Sequence, residues 1–233
     1  MGTKLKLIGL ALTLVAGTAL AQTKPAARNW NTTVTVTPQG THVLGNPAAK
    51  IRLTQYVSYT CPHCAHFEEQ ADAQLRLTFV ATGKGAVEVR NIIRDPIDLT
   101  VALLTNCGPT AKFFGNHAAF LRGQDKWIGP LVNPSPAQRA RWTTGAFAAR
   151  TRAIAKDFNF YPIMGSRGYT ARQIDACLAD EALAKRLAAA SDDAANKQYV
   201  NSTPSFAIDG DVLAGTHSWA ALRPQLAARM QAN

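Results

Sequence analysis

Four cysteines in 233 residues are too few to build a disulfide-stapled scaffold. After residue 21 the chain has no apolar run long enough to cross a bilayer. It shows no fixed-period repeat, no low-complexity tract, no acyl-transfer motif and no phosphate-cradling glycine-rich loop. Acidic residues are scarce: 15 Asp+Glu stand against 25 Lys+Arg, a formal charge of +10. Residues 99–198 carry much of that excess, with 13 Lys/Arg against 7 Asp/Glu. These basic residues are scattered along helical patterns instead of gathered into runs, so a nucleic-acid partner is not expected. A solvated basic surface is the simpler reading, with attraction to acidic surfaces left open.

The first 21 residues are of a different kind. Lys4 and Lys6 precede an apolar run from Leu7 to Leu20, and Ala19-Leu20-Ala21 forms a small-residue cleavage pattern. This reads as a secretory signal peptide, since the apolar part is short for a membrane anchor. Removing 21 residues leaves 212 and a charge of +8. That length suits one core, or one domain with a large insertion. Export would place the chain where disulfides persist.

Cys61-Pro62-His63-Cys64 lies between a strand-like apolar run, Ile51 to Tyr59, and a helical pattern bearing Phe67, Ala71, Leu75 and Phe79. Two thiols so spaced can open and close a disulfide. At a helix N-terminus, free N–H groups and the helix dipole favour thiolate over thiol. The same four letters also occur in zinc sites and static disulfides.

The organisation around the motif is mixed. Residues 22–42 are polar and threonine-rich, with Thr33 to Val36 able to form a short edge strand. Gly45-Asn46-Pro47 signals a turn, and Val87 to Ile93 a second strand after Gly83 and Gly85. The chain then reads as helical from about Leu99 to Tyr199. Capping boxes mark starts at Ser135-Pro136-Ala137-Gln138 and Thr170-Ala171-Arg172-Gln173. Strand character returns at Thr203 to Ile208. Asp209-Gly210 reads as a hairpin turn, residues 211–215 as its partner strand, and Ser218 as the cap of a last helix that Pro224 could kink. The expected class is α/β: strand–helix–strand, a helical block, then strand–strand–helix.

Taken together, Gly45-Asn46-Pro47, the Cys61–Cys64 motif with Phe67-Glu68-Glu69 behind it, and Thr203-Pro204 resemble the DsbA-like branch of the thioredoxin superfamily. The resemblance implies a thioredoxin fold built from residues 43–98 and 199–233. An all-helical domain would be inserted at 99–198, after an N-terminal extension at 22–42. It implies a periplasmic thiol:disulfide oxidoreductase that needs no cofactor or metal. Its substrates would be reduced or unfolded exported proteins, and a DsbB-like, quinone-coupled membrane protein would re-oxidise it. Cys61 would be the exchanging sulfur, Cys64 the resolving one, and His63 a tuning residue unless it is merely solvent-facing. Pro204 would be a cis-proline, with Thr203 offering its backbone to an extended substrate. Gln55 departs from the pattern, because relatives often hold a buried acid there and Gln cannot titrate. Glu68 and Glu69 match acidic family positions and are expected on the helix surface.

Cys107 and Cys177 are the remaining cysteines and are expected to pair in an oxidising compartment; two separate buried thiols are the alternative. Disulfide isomerase or reductase activity and a non-catalytic peptide-binding chaperone stay open beside oxidase. A carrier using Cys61, His63, Cys64 and His66 as soft ligands lacks a second C-x-x-C. Residues 22–42 are too short and polar for the dimerisation domain that isomerases often add, which points to a monomer.

Overall fold

The computed structural model describes residues 1–2 and 28–232; the signal peptide reading, apart from Met1 and Gly2, falls outside them. A six-stranded sheet organises the rest. Its strands are β1 (Val34–Val36), β2 (His42–Gly45), β3 (Ile51–Val57), β4 (Gly85–Asn91), β5 (Ser205–Ile208) and β6 (Asp211–Val212). They lie in the order β1-β2-β4-β3-β5-β6. β3 and β4 are parallel, and every other neighbouring pair is antiparallel.

The parallel pair needs a crossover, which α1 (Pro62–Gln74) and a π-helical turn, Leu75–Val80, supply. β3 is almost wholly buried, as a central strand covered on both faces must be. Residues 31–45 do more than extend the chain: β1 and β2 add to the sheet beside β4. β2 is four buried residues without alternation, too short and too uniform to show period-two patterning. Gly45 ends it with φ +122°, and a Cβ there would lie 3.0 Å from the Gly85 carbonyl, so backbone packs where a side chain would stand.

The β5–β6 connection is the expected two-residue turn. Asp209 and Gly210 both have positive φ, the geometry that matches strand twist in a tight hairpin. Asp209 also accepts from the Arg52 amide at 2.7 Å, tying the hairpin tip to β3.

The helical block runs through α2 (Pro96–Thr105), α3 (Phe113–Arg122), α4 (Gln124–Trp127), α5 (Gly129–Val132), α6 (Pro136–Thr143), α7 (Phe147–Asp157), α8 (Phe160–Ser166), α9 (Ala171–Leu178) and α10 (Glu181–Gln198). Both capping boxes form, at the starts of α6 and α9. Phe120, Trp127, Phe158 and Phe160 interlock through edge and tilted ring contacts. This cluster is continuous with the buried side chains of the sheet and of α1. The last helix, α11 (Trp219–Ala232), runs through Pro224, and the Ser218 hydroxyl accepts from the Ala221 amide.

Cys107 and Cys177 form a disulfide joining the segment after α2 to α9, with Cα atoms 5.6 Å apart and a sequence separation of 70. A cross-link over that span lowers the entropy of the unfolded chain by the equivalent of about 4 kcal/mol. Replacing both cysteines by alanine should cost about 3–4 kcal/mol in urea unfolding, with the helical content of the folded state retained. An unchanged midpoint would show that the bond does not constrain the unfolded chain.

Candidate active site

β3 and β4 run parallel while β5 runs against β3, so the C-terminal ends of β3 and β4 meet the start of β5. Chain leaving β3 at Val57 reaches Cys61 in four residues, and chain entering β5 at Ser205 has just passed Thr203-Pro204. The two motifs, 142 residues apart in sequence, therefore converge at one end of the sheet, the end where open α/β sheets place their sites.

Cys61 is the N-cap of α1, with extended backbone, and Pro62 takes the first helical position, where an N–H would have no partner. Its sulfur lies 3.1 Å from the Thr203 carbonyl, to which the protonated thiol donates. The Thr203–Pro204 peptide is cis, as the resemblance implied. Cys61 and His63 line an open groove of about 680 Å³ with Ile92, Arg94, Val200 and Thr203. Cys64 is 1% exposed and does not line it. Both thiols are unbonded.

Their chemistries diverge. The Cys64 thiol hydrogen-bonds to Cys61 and is the largest cause of a Cys61 pKa lowered from 9.0 to about 5. Burial opposes that shift; the Thr203 side chain and the backbone N–H groups of Cys64 and His63 add to it. Burial, then the hydrogen bond and charge of Cys61, push Cys64 well above its ordinary value. One sulfur is thus a thiolate at neutral pH and its partner a thiol. At His63 it is the backbone N–H that faces the Cys61 sulfur, while the ring is exposed.

The loop between β3 and α1 is held by residues that local sequence patterns do not reveal. Asp98, fully buried on α2, accepts from the Ser58 hydroxyl at 2.5 Å, the Tyr59 amide at 2.8 Å and the Arg94 amide at 3.3 Å. Asp95 caps α2 and accepts from the Thr60 hydroxyl at 2.8 Å. Gln124, from α4 of the helical block, donates to the carbonyls of Tyr59 at 2.6 Å and Cys61 at 3.0 Å. On the other wall, the exposed His217 donates its Nδ1–H to the Pro204 carbonyl at 2.9 Å. Asp95 sits in a readable N-cap position. The others are polar residues whose partners are distant in sequence.

Glu68 corrects the surface expectation. It is 5% exposed, facing α3, where Arg122 Nη2 lies 3.3 Å from Oε1 and His117 Nε2 lies 3.8 Å from Oε2. Arg122 also pairs with Asp72, one turn further along α1. Burial, then the Asp72 charge, raise Glu68 to about 7, and burial lowers His117 to about 4. Glu69 is exposed as expected. Gln55 is buried and shares with Glu68 and His117 a cavity of about 10 Å³, the size of one water. The position without a titrating acid thus has one across a small cavity. Among the described residues no group of three or more His, Cys, Asp or Glu is placed to hold a metal ion.

The thioredoxin family model matches residues 37–228. The chain belongs to the thioredoxin family. Its fold is the DsbA-like form, with the helical insertion. The crystal structure of a protein-disulfide isomerase from Novosphingobium aromaticivorans is 60% identical, with a TM-score of 0.79 over 82% of this chain and 97% of that one. The Wolbachia pipientis alpha-DsbA1 structure, 19% identical with a TM-score of 0.64 over 83% and 90% of the two chains, shares the fold. A Rickettsia felis protein named, as an inferred activity, protein-disulfide oxidoreductase is 29% identical over 76% of this chain and 55% of its own length. The chain spans about half the length of that curated relative.

Two measurements test the electrostatics. Thiolate absorbance of the reduced protein should titrate with a midpoint near pH 5, and the transition should vanish in Cys61→Ser; a midpoint above about 8 would remove the asymmetry. Asp98 is raised by burial from 3.8 to about 7, so the folded state holds its proton more tightly than the unfolded chain. That contribution is full below about pH 4 and lost as pH rises through about 7. Wild-type stability relative to Asp98→Asn should therefore fall across this window in urea unfolding. A difference independent of pH would show that Asp98 is already ionised in the fold.

Proposed function

We propose that this protein is an exported DsbA-type thiol:disulfide oxidoreductase that introduces disulfides into other exported proteins. The observation that carries the reading is the asymmetric dithiol: a low-pKa Cys61 at a helix N-terminus, lining the groove, backed by a high-pKa Cys64 that does not reach it. In the oxidised enzyme a substrate thiolate attacks Cys61 Sγ. The Cys61–Cys64 bond breaks, and Cys64 leaves with the electron pair and takes up a proton. A second substrate thiolate then attacks the substrate sulfur of the mixed disulfide. The substrate disulfide forms and Cys61 leaves as thiolate, so two electrons pass to the enzyme. A good leaving group accelerates this last step. Stabilising the Cys61 thiolate also stabilises the reduced enzyme, which makes its disulfide the stronger oxidant. Regeneration needs an external oxidant, and a quinone-coupled membrane protein is the class the resemblance supplies.

Thr203 and the groove beside it suit an extended substrate segment laid against the start of β5. Export and a periplasmic location are supported by the apparent leader at residues 1–21 and by the Cys107–Cys177 disulfide, a bond that oxidising compartments preserve. Isomerase activity is the second reading, favoured by the name of the 60%-identical Novosphingobium protein.

Two substrates separate the directions: one fully reduced, one with scrambled disulfides. The oxidised protein should speed recovery of the reduced substrate by at least about tenfold and leave the scrambled one unchanged, and Cys61→Ser should abolish the effect. Rescue of the scrambled substrate by the reduced protein would assign isomerase instead. Retained suppression of aggregation in Cys61→Ser, without exchange in the wild type, would assign a chaperone.

A further inference from the structure

A second cavity adjoins the dithiol groove on the side of the helical insertion, and Arg94 lines both. It measures about 280 Å³. Its walls are apolar: Ile93 and Leu99 from the segment after β4 and from α2, Trp142 from α6 and Phe147 from α7. Its rim is basic, formed by the exposed Arg94 and the half-buried Arg150. Arg150 Cζ lies 5.9 Å from the Phe147 ring centre, and its Nε is buried without a hydrogen-bond partner. Neither guanidinium has a carboxylate within ion-pair distance among the described residues. The one carboxylate lining the cavity, Asp95, spends both oxygens on the protein, accepting from Thr60 Oγ1 at 2.8 Å and the Asp98 amide at 2.7 Å. That first bond also gives its position: the cavity wall is bonded to the residue immediately before Cys61.

An apolar pocket rimmed by two uncompensated arginines selects for an apolar side chain next to a carboxylate. Burying the side chain against Trp142 and Phe147 contributes affinity, and the guanidinium charges of Arg94 and Arg150 attract the carboxylate. Because Arg94 belongs to both cavities, a chain bound in the dithiol groove can continue into this one. We infer that this cavity is a specificity subsite for the polypeptide whose cysteine engages Cys61, accepting an apolar residue adjacent to Asp or Glu a few positions from that cysteine. The inference rests on the proposed exchange activity for its purpose, but not for its binding chemistry.

Binding is therefore measured apart from exchange. Fluorescently labelled peptides with serine in place of cysteine carry Leu-Glu, Leu-Lys or Gly-Gly at successive positions from the serine. Their affinity for the full-length protein is read by anisotropy. The best Leu-Glu peptide should bind about tenfold more tightly than its Leu-Lys counterpart, with an advantage that shrinks as salt is added. Arg150→Glu should reverse the preference, and Arg150→Gln, which keeps the packing, should abolish it. Equal affinity for the three peptides, or an unchanged preference in a folded Arg150→Gln protein, would overturn the subsite. In parallel, the wild type is assayed for exchange with dithiothreitol. Loss of exchange with peptide preference intact would defeat the oxidoreductase reading and leave the subsite standing; exchange without peptide preference would do the opposite.

Discussion

The site depends on how the four residues Ser58-Tyr59-Thr60-Cys61 are held as the chain leaves β3. Backbone groups at the end of a buried strand have no ladder partner, and leaving them unpaired away from water costs about as much as a lost hydrogen bond. Here the Tyr59 amide goes to Asp98, and the Tyr59 and Cys61 carbonyls go to Gln124. The Ser58 and Thr60 hydroxyls are tied to Asp98 and Asp95. These bonds place Cys61 at the first turn of α1 with extended backbone, the condition for its thiol to receive the Cys64 hydrogen bond and the free N–H groups of the helix. Without them there is a C-x-x-C pair but no poised thiolate.

Asp98 lies on α2, Asp95 is the N-cap of that helix and Gln124 comes from α4, all beyond the strand–helix–strand unit. Through Gln124 the insertion is part of the machinery that shapes the site. The apolar core says the same, since one buried cluster runs from the sheet through α1 into the aromatic side chains of the helical block. The cis-proline wall has its own brace in His217. Both walls of the reactive sulfur are thus fixed by long-range polar contacts on a shared hydrophobic base, and the proposed subsite lies at the seam where the insertion meets that base.

The elements read correctly in advance were those whose cause is local. The Ser135 and Thr170 capping boxes, the Asp209-Gly210 turn, the apolar Ile51, Leu53, Tyr56 and Val57 of β3 and proline at the start of α1 each follow from a few adjacent residues. β2 escaped because four buried residues without alternation leave no period to detect. Glu68 was misread for a related reason. A carboxylate on a helix is normally solvated, and its burial here follows from α3 laying Arg122 and His117 against that face. Asp98 and Gln124 looked like ordinary helix residues, because a side chain's partner 39 or 65 positions away leaves no trace in local spacing.

By itself, the sequence determined the chemistry on offer: two thiols three residues apart, a strand before them, a helix after them, and a Thr-Pro pair far along the chain. Each of these is a matter of residue type and short-range order, which backbone sterics and hydrogen-bonding capacity dictate directly. Only the tertiary structure decided that the two cysteines differ, that Glu68 is buried and that Arg94 and Arg150 rim an apolar cavity beside the dithiol. Those properties depend on what surrounds a group: how much water is removed, which charges approach, and which donors arrive from elements remote in the chain.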